Sequence, residues 1–554
     1  MKYEGHEYSM TKFARRAQLV AVLVLVVSMT GCAGVDGRVP GDSVEEAFPS
    51  DTSAFGQPFD AAFWFAPNMN RKQYVDIASV LPGGAHEDPD VTQANSVIDT
   101  AEAAALAELP SSSSLDLYHQ LSLLGTLILY DKTLSVAKNL ACTSCHAPET
   151  GFTGASSLLN LTIVAQPGSV AVTNAVSPAP NYRLSNRKPQ SYGYAAFSPI
   201  LEYVATQNNF YGGNFWDMRA TGLRLGNPAA EQALGPPVNP VEMGLSDTAC
   251  MVYRICQGPY RSLFEQVWGP ASFAIAWPPD VEQVCTLPGP PPLTDPLPVH
   301  LSELDREISN SAFDHMGQAA ASYEASSDVS PFSSKFDAYL AGTVTLTQHE
   351  QRGYDLFRGK ALCNQCHLDG SANGPSDRSS ATDVAPLLTD FAANNIGVPR
   401  NANLPWYDEN QADQYGYTAN PAGRAFTDKA IGGFLSGTGN PNRSSWAALA
   451  PQFNGAIQTP TLRNVDKRPR RGFVKAYMHN GYLKSLREVV HFYNTSQALP
   501  RCAPGSRGEN VTCWPPPEVP DNLNTTQLGN LHLTSEEETD IVSFMQTLTD
   551  GYVK

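Results

Sequence analysis

Charge is scarce in this 554-residue chain, at 16% of residues, and positive charge scarcer still: 37 Lys and Arg stand against 54 Asp and Glu, a formal net charge of −17. Outside the N-terminus and a short run near Lys467–Lys475 there is no basic stripe, which argues against nucleic acid as a partner. An acidic surface suits a basic redox partner, although a solvated acidic face is the ordinary outcome of such a balance. Long apolar runs are lacking as well: Leu19–Val27 is the single one, so no segment predicts a membrane-spanning helix. Uninterrupted regular structure is also limited, because 43 Pro and 42 Gly punctuate the chain and predict long loops. What is abundant is apolar side chain, at 42%, enough for more than one buried core in a chain of this length.

Lys12, Arg15 and Arg16 precede Leu19–Val27. That run is short of the ~20 residues a bilayer needs but suits the core of a signal peptide. Met29-Thr30-Gly31-Cys32 follows and resembles a bacterial lipobox, which predicts a lipid anchor on Cys32; ordinary cleavage is the alternative. Residues 1–32 thus read as a lipoprotein signal peptide. Residues 33–114 read as an N-terminal tether or extension, with a polar stretch over 34–60. Ala33 after the cysteine favours the outer membrane over retention at the inner one.

Four of the ten cysteines fall in two identical patterns, Cys142-Thr143-Ser144-Cys145-His146 and Cys363-Asn364-Gln365-Cys366-His367. Two thiols three positions apart on one turn each reach a vinyl group of a haem, and the adjacent histidine then lies beneath the ring as an iron ligand. Zinc sites and redox CxxC pairs are the competing readings, and the appended histidine in both copies favours covalent c-type haem. An exported chain also keeps disulfides. Cys502 and Cys513 flank a Pro/Gly-rich loop and predict one pair; Cys250 or Cys256 pairs with Cys285.

The segments around both motifs resemble the bacterial di-haem cytochrome c peroxidase family, which includes MauG-like enzymes. The likeness spans residues 115–554. Leu124-Gly125, Leu129-Tyr130-Asp131 and Leu134-Ser135 lead into the first motif, and Gly151-Phe152-Thr153 follows it. Phe215-Trp216-Asp217-Met218-Arg219-Ala220, then Gln232-Ala233, Pro236 and Asn239-Pro240-Val241-Glu242-Met243-Gly244, match further blocks. So do Gly353–Phe357, Thr459–Val465, Ala476–Gly481 and the tail from Leu533-Thr534 to Leu548-Thr549. The resemblance implies a mainly α fold of two cytochrome-c-like helical domains, one haem each, with long loops: a first (peroxidatic) domain over 115–330 and a second (electron-transfer) domain over 331–554. The residues support helices independently. Leu486, Val489, Val490 and Tyr493 share one face; Thr534 stands as an N-cap before three glutamates; Leu301–Glu324 is a further helical stretch. Ser326–Ser334 reads as a linker and Pro288–Pro298 as a surface loop.

By the same resemblance, the first haem reacts with hydrogen peroxide, Glu242 moves protons, Gln232 and Pro236 line the pocket, and Trp216 relays electrons from the second haem. Sixteen positions separate Trp216 from Gln232, more than is common in the family, which predicts an inserted loop at Leu225–Pro228. No histidine occurs between His146 and Trp216. Many relatives have one there that caps the first iron, so its absence implies an open or water-bound first haem; Met243 is the rival cap. The second haem's far ligand falls at Tyr493, as in MauG-like enzymes, with Met478 as its rival. The family also places calcium between the domains, for which Asn186 is the candidate, although Asn186-Arg187 reverses the family's order. Members are often homodimers. His315 and His491 read as ordinary packing or surface residues.

Four functions compete. The leading one is peroxide reduction with electrons from a donor cytochrome or other redox protein. A MauG-like oxidase acting on a protein or organic substrate is the alternative. An oxygen-dependent enzyme and a surface electron-transfer cytochrome rank below them.

Overall fold

The computed structural model describes residues 88–175, 181–370 and 385–553. The signal peptide, Cys32 and the stretch 34–60 lie outside the described residues. Helices dominate, and the strands form three two-stranded pairs: Ala171–Val172 with Asn181–Tyr182, Glu202–Val204 with Asn209–Tyr211, and Ala393–Asn394 with Ile457–Gln458. Among the described residues no helix is long and apolar enough to cross a membrane.

Two apolar clusters organise the chain. In the N-terminal half, the Leu117–Tyr130 and Glu303–Glu324 helices cross over a core that includes Leu124, Leu127, Ile128, Phe264 and Ala319. Gly125 is where the two backbones come closest: a Cβ there would run into the Ala319 carbonyl. In the C-terminal half, the Gln348–Arg358 and Ser535–Gln546 helices pack around Phe336, Phe357, Phe492 and Phe544. Gly353 plays the matching part against the Asp540 carbonyl. Both glycines belong to the blocks that carry the family resemblance, and close helix approach is the physical reason for them.

The expected helices form, with the expected ends. Ser485 and Thr534 close capping boxes with Glu488 and Glu537, and Ser302 caps the helix that begins at Glu303. His315 stacks on Trp268 at 4.0 Å and His491 hydrogen-bonds Glu538, both packing roles as expected. Cys250 pairs with Cys285 and Cys502 with Cys513, which resolves the alternative left open for Cys285.

The described end of the N-terminal extension differs from a tether. Pro89–Glu108 is a helix capped by Asp88. Asp90 in its first turn accepts from Arg470 at 2.6 Å and from the Ser157 backbone at 3.0 Å, tying the extension to both halves. The cause is tertiary: a polar, alanine-rich segment gains enough from these contacts to fold onto the body.

The halves meet along a seam of mixed origin. Leu201, Phe210 and Met218 share a cluster with Ile431, Trp446 and Phe453; Leu159 and Val164 share another with Leu404 and Trp406. An isolated bridge joins Tyr211 to Ala392.

Candidate two-haem site

The first CxxCH forms one short helix, Cys142–Cys145, ending at His146. Its Ser144 hydroxyl accepts from the Ala141 backbone and Thr143 donates to the Leu129 carbonyl, which locks the turn. The His146 Nδ1–H donates to the Phe152 carbonyl at 3.1 Å. Burial pushes this imidazole down to about 4, so it is neutral, and a carbonyl partner can only accept. The free lone pair is therefore on Nε2, the arrangement an iron ligand requires. Tyr192 packs against the ring at 5.0 Å. The second motif repeats the logic: His367 Nδ1–H donates to the Leu388 carbonyl at 3.1 Å, and burial pushes His367 down to about 4.

All four motif thiols are unpaired. Burial pushes Cys142, Cys363 and Cys366 up to about 12, and Cys145 higher. A redox CxxC works through a lowered thiol pKa, and burial here acts in the opposite direction. Among the described residues no group of three or more His, Cys, Asp or Glu is gathered to hold a metal ion, which leaves the zinc reading without a ligand set. The donors fit a covalent haem: paired thiols with a preoriented imidazole, each on a cavity wall. Two buried polar groups nearby, the Tyr192 hydroxyl and the Asn364 amide, have no hydrogen-bond partner among the described residues.

The first cavity, of about 300 Å³, is lined by His146 and by Gln232, Pro236, Glu242 and Met243. Glu242 accepts from Asn239 Nδ2 at 2.8 Å. Burial raises its pKa above the ordinary carboxylate value, and Arg219 only partly opposes this. Glu324, at the end of the Glu303–Glu324 helix, is a second buried carboxyl on the same wall, and burial holds it well above the usual range. No motif had marked it. The expected insertion at Leu225–Pro228 is a folded loop: Glu231 accepts from the backbones of Gly222, Arg224 and Leu225, and Asn227 caps the Pro228–Ala233 helix. Gln232 on that helix still reaches the cavity. Asn186 lines this first cavity.

The second cavity, of about 180 Å³, is lined by Cys363, Cys366, His367, Met478, Tyr493 and Met545. Burial raises the Tyr493 phenol far above its ordinary value, with the Cys366 and Cys363 thiols adding to the effect. Its hydroxyl forms no hydrogen bond with the described residues. Both ligand candidates, Tyr493 and Met478, thus face one cavity.

Trp216 joins the two. It is 8% exposed and lines both cavities. Its Nε1–H donates to the Lys188 carbonyl at 3.0 Å, and its own carbonyl accepts from Gln458 at 3.0 Å, so each half holds one end.

Comparison with known proteins agrees with this geometry. Residues 119–345 match the profile of the di-haem cytochrome c peroxidase family. The chain is 28% identical to methylamine utilization protein MauG of Paracoccus denitrificans over 433 residues, 78% of this chain and 88% of that one. It is 31% identical to cytochrome-c peroxidase IdrP1 of Denitromonas iodatirespirans over 221 residues, 39% of this chain and 44% of that one. The solved structure of the diheme peroxidase BthA from Burkholderia thailandensis superposes with a TM-score of 0.55 at 25% identity, covering 78% of this chain and 86% of that one. Two histidine-appended thiol pairs, each on its own cavity and joined by one buried tryptophan, point the same way as these likenesses: over residues 119–345 the chain matches the di-haem cytochrome c peroxidase family, and over most of its length it is similar to MauG.

Proposed function

We propose that this protein reduces hydrogen peroxide to water in the Glu242 cavity, drawing electrons through Trp216 from the second cavity and ultimately from a donor cytochrome or another redox protein. The balance is H2O2 + 2 H⁺ + 2 e⁻ → 2 H2O. Cys142, Cys145 and His146 hold one haem and Cys363, Cys366 and His367 the other. Bound there, the haems supply an iron site for peroxide and a store for an electron. The Glu242 carboxylate takes a proton from one peroxide oxygen and returns it to the leaving oxygen. Asn239 keeps that carboxylate oriented, the Gln232 amide positions the substrate, and Pro236 closes the wall against water. The single observation that carries the reading is Trp216, which touches both cavities.

Low-temperature EPR of the ferric holoprotein, before and after one equivalent of hydrogen peroxide, tests it. A high-spin signal that vanishes with peroxide is expected, because no loop histidine lies between His146 and Trp216 to cap the iron. Two low-spin haems indifferent to peroxide would overturn the reading.

Tyr493 favours a second reading, a MauG-like oxidase. A phenolate ligand stabilises oxidised iron and makes a poor electron store. Peroxide turnover that proceeds without a reduced cytochrome, at the expense of a protein or organic substrate, separates it from the first.

The Met29–Cys32 pattern supports a lipid anchor on Cys32 facing the outer membrane. Release of the protein from membranes by Cys32→Ser tests that, and light scattering tests the homodimer expected from the family.

A further inference from the structure

The seam between the halves holds two lysine amines, Lys475 buried and Lys188 half-buried, that peroxide reduction leaves unused. A cavity of about 110 Å³ there is lined by Thr153, Lys188 and Gln190 from one side and Thr459, Asn464 and Lys475 from the other. Lys475 is 4% exposed, and its Nζ donates to the carbonyls of Thr150 at 2.7 Å and Asn464 at 3.0 Å. Lys188 Nζ donates to Thr153 Oγ1 at 2.9 Å and the Pro189 carbonyl at 3.1 Å. Neither is hydrogen-bonded to a carboxylate of the described residues. Burial pushes the Lys475 amine well below the ordinary lysine value, with the Lys188 charge adding to the effect, and Asp466, which opposes it, is paired with Arg468. Oxygens converging on a buried cation are what a calcium ion requires, and here they converge on nitrogen. Lys188 has a second contact: its Nζ lies 5.7 Å from the centroid of the Trp216 ring, while its carbonyl takes the indole N–H.

We propose that the Lys188 and Lys475 amines fill this seam in place of a metal ion: they engage the oxygens that a calcium ion between the halves would need, and the Lys188 ammonium holds the Trp216 indole against oxidation. The second part rests on the reading of Trp216 as the relay. An indole that loses an electron sheds its N–H proton when a base is at hand. The Trp216 N–H faces a carbonyl, which cannot take it, so the charge would stay on the ring beside an ammonium. At 5.7 Å and an effective dielectric constant of ~20, that repulsion biases against the oxidised ring by roughly a hundredfold. Trp216 then passes electrons without resting as a radical. Lys188 is a positioning residue in this scheme, since it acts through the indole.

Two measurements on the holoprotein decide it. Metal analysis of the purified, dialysed protein is expected to find well under one calcium per chain. Chelator and added calcium should both leave the haem EPR signals and the melting temperature unmoved. Stoichiometric calcium whose removal shifts either signal would overturn the first part. Rapid-freeze EPR after peroxide is expected to show an indole radical raised about tenfold or more in Lys188→Met, and at the wild-type level in Lys188→Arg. Equal radical yields in wild type and Lys188→Met would overturn the second part, and Lys188→Gln serves if Met is not tolerated. If peroxide leaves both haems untouched, the peroxidase reading falls. The same comparison with hexachloroiridate as oxidant then still decides the role of Lys188.

Discussion

A neutral imidazole whose Nδ1 proton is committed to a carbonyl offers one lone pair in one direction, and both His146 and His367 are held this way. The chemistry then depends on what stands across each cavity. Across the first, Glu242→Gln keeps the shape and removes the proton acceptor. Its kcat/KM for peroxide should fall by ~10²–10⁴-fold in stopped-flow assays, the usual worth of general acid–base catalysis, with the haem spectrum unchanged. Across the second, Tyr493→Met exchanges a phenol for a thioether, which favours ferrous iron. Spectroelectrochemistry should show the second haem's reduction potential rise, and Met478→Leu should leave it in place. If the potential moves with Met478 and not with Tyr493, the ligand assignment reverses. Along the chain the thiols and histidines are unambiguous because the motif is local. Tyr192, Lys188 and Glu324 are not, because no spacing rule marks a residue that matters only for what packs beside it. The nearest hint was the reversed Asn186-Arg187 order, which coincides with Lys188 at the seam.

Among the helices, ends and close approaches were the most readable features. Ser485 and Thr534 each precede a glutamate by three positions, and both close capping boxes. The Leu486–Thr495 helix carries Tyr493, so its cap bears on the site. Ser485→Ala should cost about 1 kcal/mol in urea unfolding, the typical worth of an N-cap. Gly353→Ala places a methyl group against the Asp540 carbonyl in a tight helix pair. It should cost about 1–3 kcal/mol, as overpacked cores do, and lower the melting temperature measurably. The Pro89–Glu108 helix was hidden because its polar surface has no apolar periodicity. What fixes it is the pairing of Asp90 with Arg470, 380 positions away.

The halves are clamped by a buried ion cluster. Arg187 donates to Asp217 at 2.8 Å and to both oxygens of Asp428 at 2.7 Å, reaching 30 positions along the chain in one case and 241 in the other. Burial alone would raise both carboxyls; the Arg187 guanidinium outweighs it and holds them below their ordinary range. Their folded pKa values are thus depressed. The stability they contribute is present above the unfolded value of 3.8 and is lost as pH falls below it. Thermal melts should therefore show a stability loss below about pH 4 that Arg187→Ala no longer shows. Removing Arg187 strands the buried Asp428 carboxylate and leaves Asp217 with Arg219 alone, and should cost about 3–5 kcal/mol at neutral pH.

Covalent attachment of two haems, capped helices, a Pro-rich loop and the overall helical class follow from contacts within a few residues, so they could be read from the chain alone. Which cavity each candidate lines could not. Trp216 reaches two cavities, Tyr493 faces thiols in another segment, and Lys188 meets Lys475 across the seam, each because distant segments pack together. Pairing of that kind depends on the shapes and charges of both partners at once. A position read along one strand of sequence holds only half of that information, and the folded chain supplies the rest.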